Sequence, residues 1–396
     1  MFLTKSEEHA FIEQYKEQNP QQVSLKLQNL PAEQRFFILQ QIEGYQKAKE
    51  KLPSFAKNSA ILYPPKLNLE QASSERTALF KAQIIKGKSL CDITGGFGVD
   101  SWAFSHFFEQ VCYIEQNPSL ATIAKHNFAT LNSHHIKVIN ENALTYLEKN
   151  LLKTDWIFID PARRNGQGKG IAQLQDTQPN ILEILGLLFS KSENILLKAS
   201  PMLDISEALK NLVFVRKIWV ISLANECKEV LYELHPKEYG STPDIYCIDI
   251  QKDITHQFVS NKIEEENATC SFSPPKKYLY EPNSSLLKAG FFQVIAEKYK
   301  VSKLHTHGHL YTSDELITDF QGKIFEIEKT ITKNIWKTLK EEEIRKAHIS
   351  VRNFPMSVAE IRKKTGITEG NDAWVFATTL AKQEKALLLV RRVLES

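Results

Sequence analysis

The residues of this chain that could do chemistry lie at the ends of short apolar runs. The first run leads into CDITGGFGVDS (91–101), and Asp92 stands just before its glycines. Gly95, Gly96 and Gly98 are spaced as GGxG, which lacks the third glycine of the GxGxxG dinucleotide fingerprint. Glycines let the backbone approach a ligand closely, and a turn from strand to helix is a common ligand site. The turn is therefore interpreted as a cofactor site, with a purely structural turn as the alternative.

Three further polar positions follow the next apolar runs. Glu115 ends YIE twenty residues after Gly95, and a carboxylate there can accept hydrogen bonds from both ribose hydroxyls of a nucleotide. Asn142 follows the third run, where it either contacts the cofactor, caps the helix ALTYLEKNL, or does both. Asp160 ends the fourth run, in DWIFIDPARR, and its carboxylate is predicted to lie at the edge of a sheet, facing a substrate.

Positive charge follows Asp160 directly. Arg163 and Arg164 carry planar, permanently charged groups that suit a phosphate or another anion, although an ordinary surface pair is the alternative. The glycine-rich stretch NGQGKG comes next and predicts a mobile substrate loop.

A parallel sheet would bring these positions together at one edge. The predicted strands are SLCDI (89–93), VCYIE (111–115), IKVIN (136–140), WIFID (156–160), NILLKA (194–199) and KIWVIS (217–222). Amphipathic stretches alternate with them, and strands that are apolar throughout are typical of a parallel sheet covered on both faces. CKEVLYEL and DIYCIDI follow without a helix between them and are expected to form an antiparallel end to the sheet.

The flanking sequence predicts further domains. The first 50 residues have helical periodicity, and EQASSERTALFKAQIIKG is predicted as a helix capped by Ser73 or Ser74. SLLKAGFFQVIAEKY predicts one helix of a small α/β segment, and the last segment is predicted as mixed α/β. The expected regions are 1–80 (helical), 81–260 (Rossmann-like), 276–322 and 323–396 (two small α/β domains).

Composition narrows the class of protein. Of 396 residues, 42% are hydrophobic and 24% are charged, as in soluble globular proteins. The five cysteines lack zinc-site spacing, and Cys91, Cys112 and Cys247 are expected to be buried thiols. No apolar stretch approaches the ~20 residues of a membrane span, and the charged N-terminus does not resemble a signal peptide. A cytoplasmic protein without a metal is expected.

The charge is unevenly distributed along the chain. Residues 89–260 carry 15 Lys and Arg against 20 Asp and Glu, whereas residues 323–396 carry 15 against 10. A basic appendage on an acidic core suits a nucleic-acid substrate, although ordinary solvated surfaces would give the same counts.

Together these segments resemble a bacterial family of class I S-adenosylmethionine-dependent methyltransferases with C-terminal ferredoxin-like and THUMP-like domains. The resemblance covers residues 60–396 and rests on EQASSE, DITGGFGVDS, IDPARRNGQGKG, DTQPNILEIL, KASPMLDIS, YLYEPNSSLLKAG, HISVRNFPMSVAEIRKKTGI and ALLLVRRV. It implies a Rossmann-like α/β methyltransferase fold, S-adenosylmethionine as cofactor and, because THUMP domains bind RNA, an RNA substrate.

The resemblance also implies roles for individual residues. The cofactor would be bound by Asp92, Thr94, Gly95, Gly96, Gly98, Glu115, Asn142 and Asp160. Asp160 would also lie at the methyl-transfer centre, with Arg163 beside it. The Asn/Asp-Pro-Pro-aromatic motif of many amine methylases is absent, and KASPM carries Ser200 in place of the cysteine nucleophile of carbon-methylating RNA enzymes.

The sequence is also compatible with other functions. The fold could belong to a non-catalytic RNA-binding protein or to a nicotinamide-dependent oxidoreductase, although the glycine spacing disfavours the latter. SVAEIRKKTGITEG with the strands that follow could form a DNA-binding winged helix. His305, His307 and His309 alternate along one strand and are interpreted as a surface or domain-contact feature, with a metal site as the alternative.

Overall fold

The computed structural model describes residues 3–150, 153–163, 174–238, 240, 242–252, 254–371 and 373–393. The chain divides into two compact units. The first is Met1–Val215 with Tyr232–Tyr239, and the second is Arg216–Leu231 with Gly240–Ser396. Among the described residues no helix is both long enough and apolar enough to cross a membrane.

The first unit begins with six helices. The sequence predicts those within the first 51 residues and the last one, whereas the two short helices between them were not predicted. The six helices are α1 (Lys5–Tyr15), α2 (Pro20–Lys26), α3 (Ala32–Lys51), α4 (Pro53–Ala56), α5 (Lys66–Gln71) and α6 (Glu75–Ile84). Val23, Leu27, Ile38 and Ile42 form the core that holds the first three together. Ser74, rather than Ser73, caps α6 by accepting a hydrogen bond from the amide of Thr77.

Strands and helices then alternate. The elements are β1 (Ser89–Asp92), α7 (Val99–Phe104), β2 (Gln110–Ile114), α8 (Pro118–Thr130), β3 (Ile136–Ile139), α9 (Ala143–Lys149), β4 (Trp156–Ile159), β5 (Ala162–Arg163), β6 (Thr177–Gln178), α10 (Ile181–Lys191), β7 (Asn194–Ala199) and α11 (Ile205–Asn211). Five of the strands form a parallel sheet in the order β7-β4-β1-β2-β3. The predicted parallel sheet is confirmed, and its carboxyl edge carries the glycine turn and the ends of β2, β3 and β4.

The next strands correct one expectation. They are β8 (Val215–Leu223), β9 (Glu226–Leu234), which crosses the division between the units, β10 (Asp244–Ile250) and β11 (Thr255–Ser260), followed by α12 (Lys262–Asn267). DIYCIDI, which is β10, pairs parallel to β8, so the prediction that it is an antiparallel end strand is wrong. The antiparallel partner of β10 is β11, which lies in a segment that was too polar to be predicted as a strand. The intervening β9 allows β8 and β10 to run in the same direction.

The rest of the second unit contains a seven-stranded sheet. Its elements are β12 (Tyr278–Pro282), α13 (Ser284–Ala289), α14 (Gln293–Tyr299), β13 (Ser302–His305), β14 (Gly308–Ser313), β15 (Gly322–Ile331), α15 (Ile335–Glu341), β16 (His348–Arg352), α16 (Val358–Thr365), β17 (Trp374–Thr379) and β18 (Lys385–Arg392). The strand order is β13-β14-β12-β15-β18-β17-β16, which is not a winged helix.

The single helix predicted over SLLKAGFFQVIAEKY is two helices in the structure. Gly290 ends α13 with φ +75°, a left-handed conformation that glycine adopts without steric cost and that commonly terminates helices. The apolar periodicity continues across this break, which is why the pattern suggested one helix.

Candidate active site

The glycine turn is shaped by close packing as well as by its backbone angles. A Cβ atom on Gly95 would lie 2.3 Å from Cε2 of the Tyr113 ring, so no other residue fits there without movement. Gly98 has φ +86° and forms the left-handed N-cap of α7, and a Cβ there would lie 2.7 Å from Cζ of Phe128. The sequence therefore needs these glycines in order to build the turn, whichever ligand it holds.

The side chain of Asp92 accepts hydrogen bonds from residues at both ends of the glycine turn. Its Oδ1 accepts a hydrogen bond from the amide of Thr94 at 3.0 Å, and its Oδ2 accepts one from Oγ of Ser101 at 2.6 Å. The residue is 1% exposed, and this burial raises its pKa to about 7 despite the two hydrogen bonds, which act in the opposite direction. Asp92 thus links β1 to α7, and its contact with a cofactor stays a prediction.

Glu115 connects the turn to the second strand. Its Oε2 accepts a hydrogen bond from the amide of Gly96 at 2.9 Å, and its Oε1 accepts one from the amide of Asn117 at 2.7 Å. A carboxylate oxygen can accept more than one hydrogen bond. The two oxygens can therefore hold the turn and also accept from hydroxyl groups of a ligand.

Asn142 is a helix cap in the structure. Its Oδ1 accepts hydrogen bonds from the amides of Leu144 at 3.1 Å and Thr145 at 3.2 Å, which stabilises the first turn of α9. Its Nδ2 donates to Oε1 of Gln116 at 3.3 Å. The capping interpretation is confirmed, and the predicted adenine contact stays a prediction.

Asp160 lies beside the glycine turn. Its amide donates to Oγ1 of Thr94 at 2.7 Å, and its Oδ2 accepts from Nζ of Lys198 at 2.6 Å. Its side chain is 36% exposed, so the carboxylate is open to a ligand although it is already paired with a cation. Thr94 therefore joins the predicted cofactor turn to the predicted methyl-transfer carboxylate.

A buried polar network extends from this ion pair and was not predicted from the sequence. Oγ of Ser73 accepts from Nζ of Lys198 and from Nζ of Lys81, both at 3.1 Å, and donates to Oδ2 of Asp100 at 2.8 Å. Lys81 also lies 3.2 Å from Oδ1 of Asp100. The only sequence signal is a lysine inside each of two apolar segments, NILLKA and ALFKAQII.

The network keeps its buried charges paired. Burial alone would raise the pKa of Asp100, but the ammonium groups of Lys81 and Lys198 outweigh this effect and hold its pKa below the usual value. Lys81 is fully buried, and a charge in that position is stable only with a partner. Two carboxylates and two ammonium groups thus form a chain joined through one serine.

Of the two arginines predicted to bind an anion, only Arg163 lies within the described residues. The backbone of Arg163 pairs with Thr177 in the short ladder of β5 and β6. Arg164 and the segment NGQGKG lie outside the described residues.

The histidine motif packs within the second unit. His305 ends β13 and His309 lies in β14, so the prediction that the three histidines share one strand is wrong. Nδ1 of His305 lies 2.9 Å from Nδ2 of Asn353, and Nε2 lies 3.1 Å from Nε2 of Gln383. His305 is buried, and His309 stacks on Phe292 with ring centroids 3.8 Å apart. Within the described residues no group of three His, Cys, Asp or Glu side chains could hold a metal ion. Cys91 and Cys247 are buried as expected, and Cys112 is partly exposed.

A glycine turn, two strand-end carboxylates and a parallel sheet define the first unit as an α/β domain of the class I methyltransferase type. A candidate methyltransferase of Porphyromonas gingivalis W83 has a similar structure over 100% of both chains, with 31% identity and a TM-score of 0.87. Family models match residues 278–320 as a ferredoxin-like domain and residues 322–392 as a THUMP-like domain. The chain belongs to this methyltransferase-related family with ferredoxin-like and THUMP-like C-terminal domains, and the resemblance found in the sequence is confirmed.

More distant structures share part of the fold. A candidate RNA methyltransferase of Pyrococcus horikoshii is 15% identical, covers 48% of this chain and 98% of its own, and has a TM-score of 0.33. A candidate methyltransferase of Streptococcus mutans, in complex with S-adenosylhomocysteine, is 14% identical, covers 41% and 96%, and has a TM-score of 0.31. No curated protein matches the chain in sequence.

Proposed function

We propose that this protein is an S-adenosylmethionine-dependent methyltransferase that acts on RNA. The observation that carries the proposal is the hydrogen bond from the amide of Gly96 to Glu115, because it sets an acidic acceptor against the glycine turn. A nucleoside bound at this edge of the sheet can donate its ribose hydroxyls to that carboxylate. The side chain of Asn142 stands at the end of the next strand, where it suits contact with the base.

Asp160 is the group we place at methyl transfer. Transfer from a sulfonium is an in-line displacement, so the protein mainly aligns the acceptor with the methyl group. Through Thr94 the backbone of Asp160 is fixed to the glycine turn at 2.7 Å, and its partly exposed carboxylate suits an acceptor group that carries a hydrogen. Family membership supports methyl transfer as the reaction.

The C-terminal domain supports the RNA part of the proposal. THUMP domains bind RNA, and the THUMP-like match coincides with the most basic part of the chain. An open groove of about 610 Å³ on this domain is lined by Asn334, Trp336, Lys337, Gln383 and Lys385, among others. Nζ of Lys364 lies 4.6 Å from the centroid of the Trp336 ring. Exposed lysines around an aromatic ring suit unpaired bases and their phosphates.

Transfer of a labelled methyl group from S-adenosylmethionine tests the proposal. The purified protein is incubated with RNA, protein and small-molecule fractions of extract from cells that lack it. Asp160→Ala is compared with wild type, and Glu207→Ala on the exposed face of α11 serves as the control. We expect label in an RNA fraction with wild type and with the control, and none with Asp160→Ala.

Other outcomes would separate the two parts of the proposal. Label in protein or in small molecules would keep methyl transfer and refute the RNA substrate. Measurable cofactor binding with no label in any fraction would refute catalysis and favour a non-catalytic RNA-binding protein. Absence of S-adenosylmethionine binding would refute the cofactor assignment itself.

A further inference from the structure

Lys198 stands at the proposed methyl-transfer centre although no motif assigns it a role. It lies near the end of β7, and its side chain is 11% exposed. Its ammonium group lies 2.6 Å from Oδ2 of Asp160 and 3.1 Å from Oγ of Ser73. Because the ammonium group of Lys198 is held inside the domain, it restricts the orientation of the Asp160 carboxylate that pairs with it.

The second neighbour comes from the N-terminal region. Ser73 precedes α6, and Lys81 lies on that helix with its ammonium group 3.1 Å from Oγ of Ser73. Asp100, on the first turn of the helix after the glycine turn, accepts the hydrogen of the Ser73 hydroxyl. The segment Ser73–Lys81 therefore connects the helix after β1 to the strand that carries Lys198.

We propose that Lys198 is a positioning residue for methyl transfer, fixing the Asp160 carboxylate in one orientation, and that Ser73 holds Lys198 in place. This inference rests on the proposed function. Because its Oδ2 already accepts from the ammonium group of Lys198, Asp160 mainly orients the acceptor through a hydrogen bond. It follows that the N-terminal segment 73–81 is part of the active site.

Kinetics of Lys198→Met and Lys198→Arg test the positioning role. Methionine keeps much of the length of lysine without its charge, and arginine restores the charge. We expect kcat of Lys198→Met to fall about 100-fold, the effect of a misplacement of about 1 Å, while the Kd for S-adenosylmethionine is unchanged. Lys198→Arg should recover part of the loss. Lys210→Met, which removes an exposed lysine paired with Glu207, is the matched control and should keep wild-type kinetics.

Two results would overturn the proposal. One is an unchanged kcat in folded Lys198→Met. The other is a loss of kcat that is fully explained by a lower melting temperature and is not recovered by Lys198→Arg. Ser73→Ala should also lower kcat, as Lys198→Met does. A wild-type kcat would show that Ser73 does not hold Lys198 in place.

A measurement without turnover keeps this inference separate from the proposed function. Asp160→Asn, Lys198→Met and the double variant are compared in urea unfolding. We expect the double variant to lose less stability than the two single losses added together, because either single change already breaks the pair. Strict additivity would refute the pairing. If wild type transfers no methyl group but the variants are not additive, the proposed function fails and the ion pair stands.

Discussion

Glu115→Gln tests the link between the glycine turn and cofactor binding. The two carboxylate oxygens of Glu115 accept hydrogen bonds from the backbone amides of Gly96 at 2.9 Å and Asn117 at 2.7 Å. The amide of glutamine can accept only one of these, and its NH₂ group faces the other donor. Loss of one hydrogen bond to a charged group costs about 1.5–3 kcal/mol, so we expect the free energy of unfolding to fall by about that amount.

Cofactor binding should weaken in parallel. The ribose hydroxyls would lose a charged acceptor, which at about 1.4 kcal/mol per tenfold change predicts a rise of about 10- to 100-fold in the Kd for S-adenosylmethionine. Isothermal titration calorimetry measures the Kd, and urea unfolding measures the stability.

Glu141→Gln is the matched control for this substitution. Glu141 is a partly exposed glutamate that pairs with Lys149 at 3.0 Å, and its replacement should change the Kd and the stability little. An unchanged Kd in folded Glu115→Gln would refute the assignment of Glu115 to the cofactor.

Three further predictions concern the same edge of the sheet. Gly98→Ala places a Cβ atom on a residue with φ +86° and against the ring of Phe128. The free energy of unfolding, measured in urea, should therefore fall by about 2–5 kcal/mol. A wild-type value would show that the turn can adjust. Asn142→Ala removes the cap of α9 and should cost about 1 kcal/mol in the same assay, whereas Asn142→Asp should restore it. Burial raises the pKa of Asp92 to about 7, whereas the pKa of an aspartate in the unfolded chain is about 4. The contribution of Asp92 to stability is therefore complete below about pH 4 and is lost as the pH rises towards 7. The unfolding free energy of Asp92→Asn should therefore fall less than that of wild type between pH 4 and pH 7, and equal slopes would contradict this account.

The parallel sheet could be predicted because its strands are apolar along their whole length. Residues such as Trp156 and Ile157 need no alternation when helices cover both faces, and this pattern distinguishes them from strands with one solvated face. Strand direction is not encoded in the same way. The run that became β10 is equally apolar in either orientation, so only the pairing with β8 in the structure decides it.

The polar network could not be predicted for a different reason. The four residues of the network come from three separate segments: Ser73 and Lys81 lie in one, and Asp100 and Lys198 lie in the other two. A lysine in an apolar strand indicates that a partner exists, because an unpaired buried charge is too costly, but it does not say which carboxylate supplies it. The motif residues were easier to find, since the turn and the strand ends that carry them are local features.

Thr94 links the two halves of the proposed reaction. Its amide donates to Asp92, which is locked inside the turn, and its hydroxyl accepts from the amide of Asp160. The Asp160 side chain is held in turn by Lys198. These contacts are hydrogen bonds of 2.6–3.0 Å, so we expect a movement of the glycine turn to move the Asp160 carboxylate with it. In the proposed reaction, Thr94 therefore couples the cofactor site to the carboxylate that aligns the acceptor.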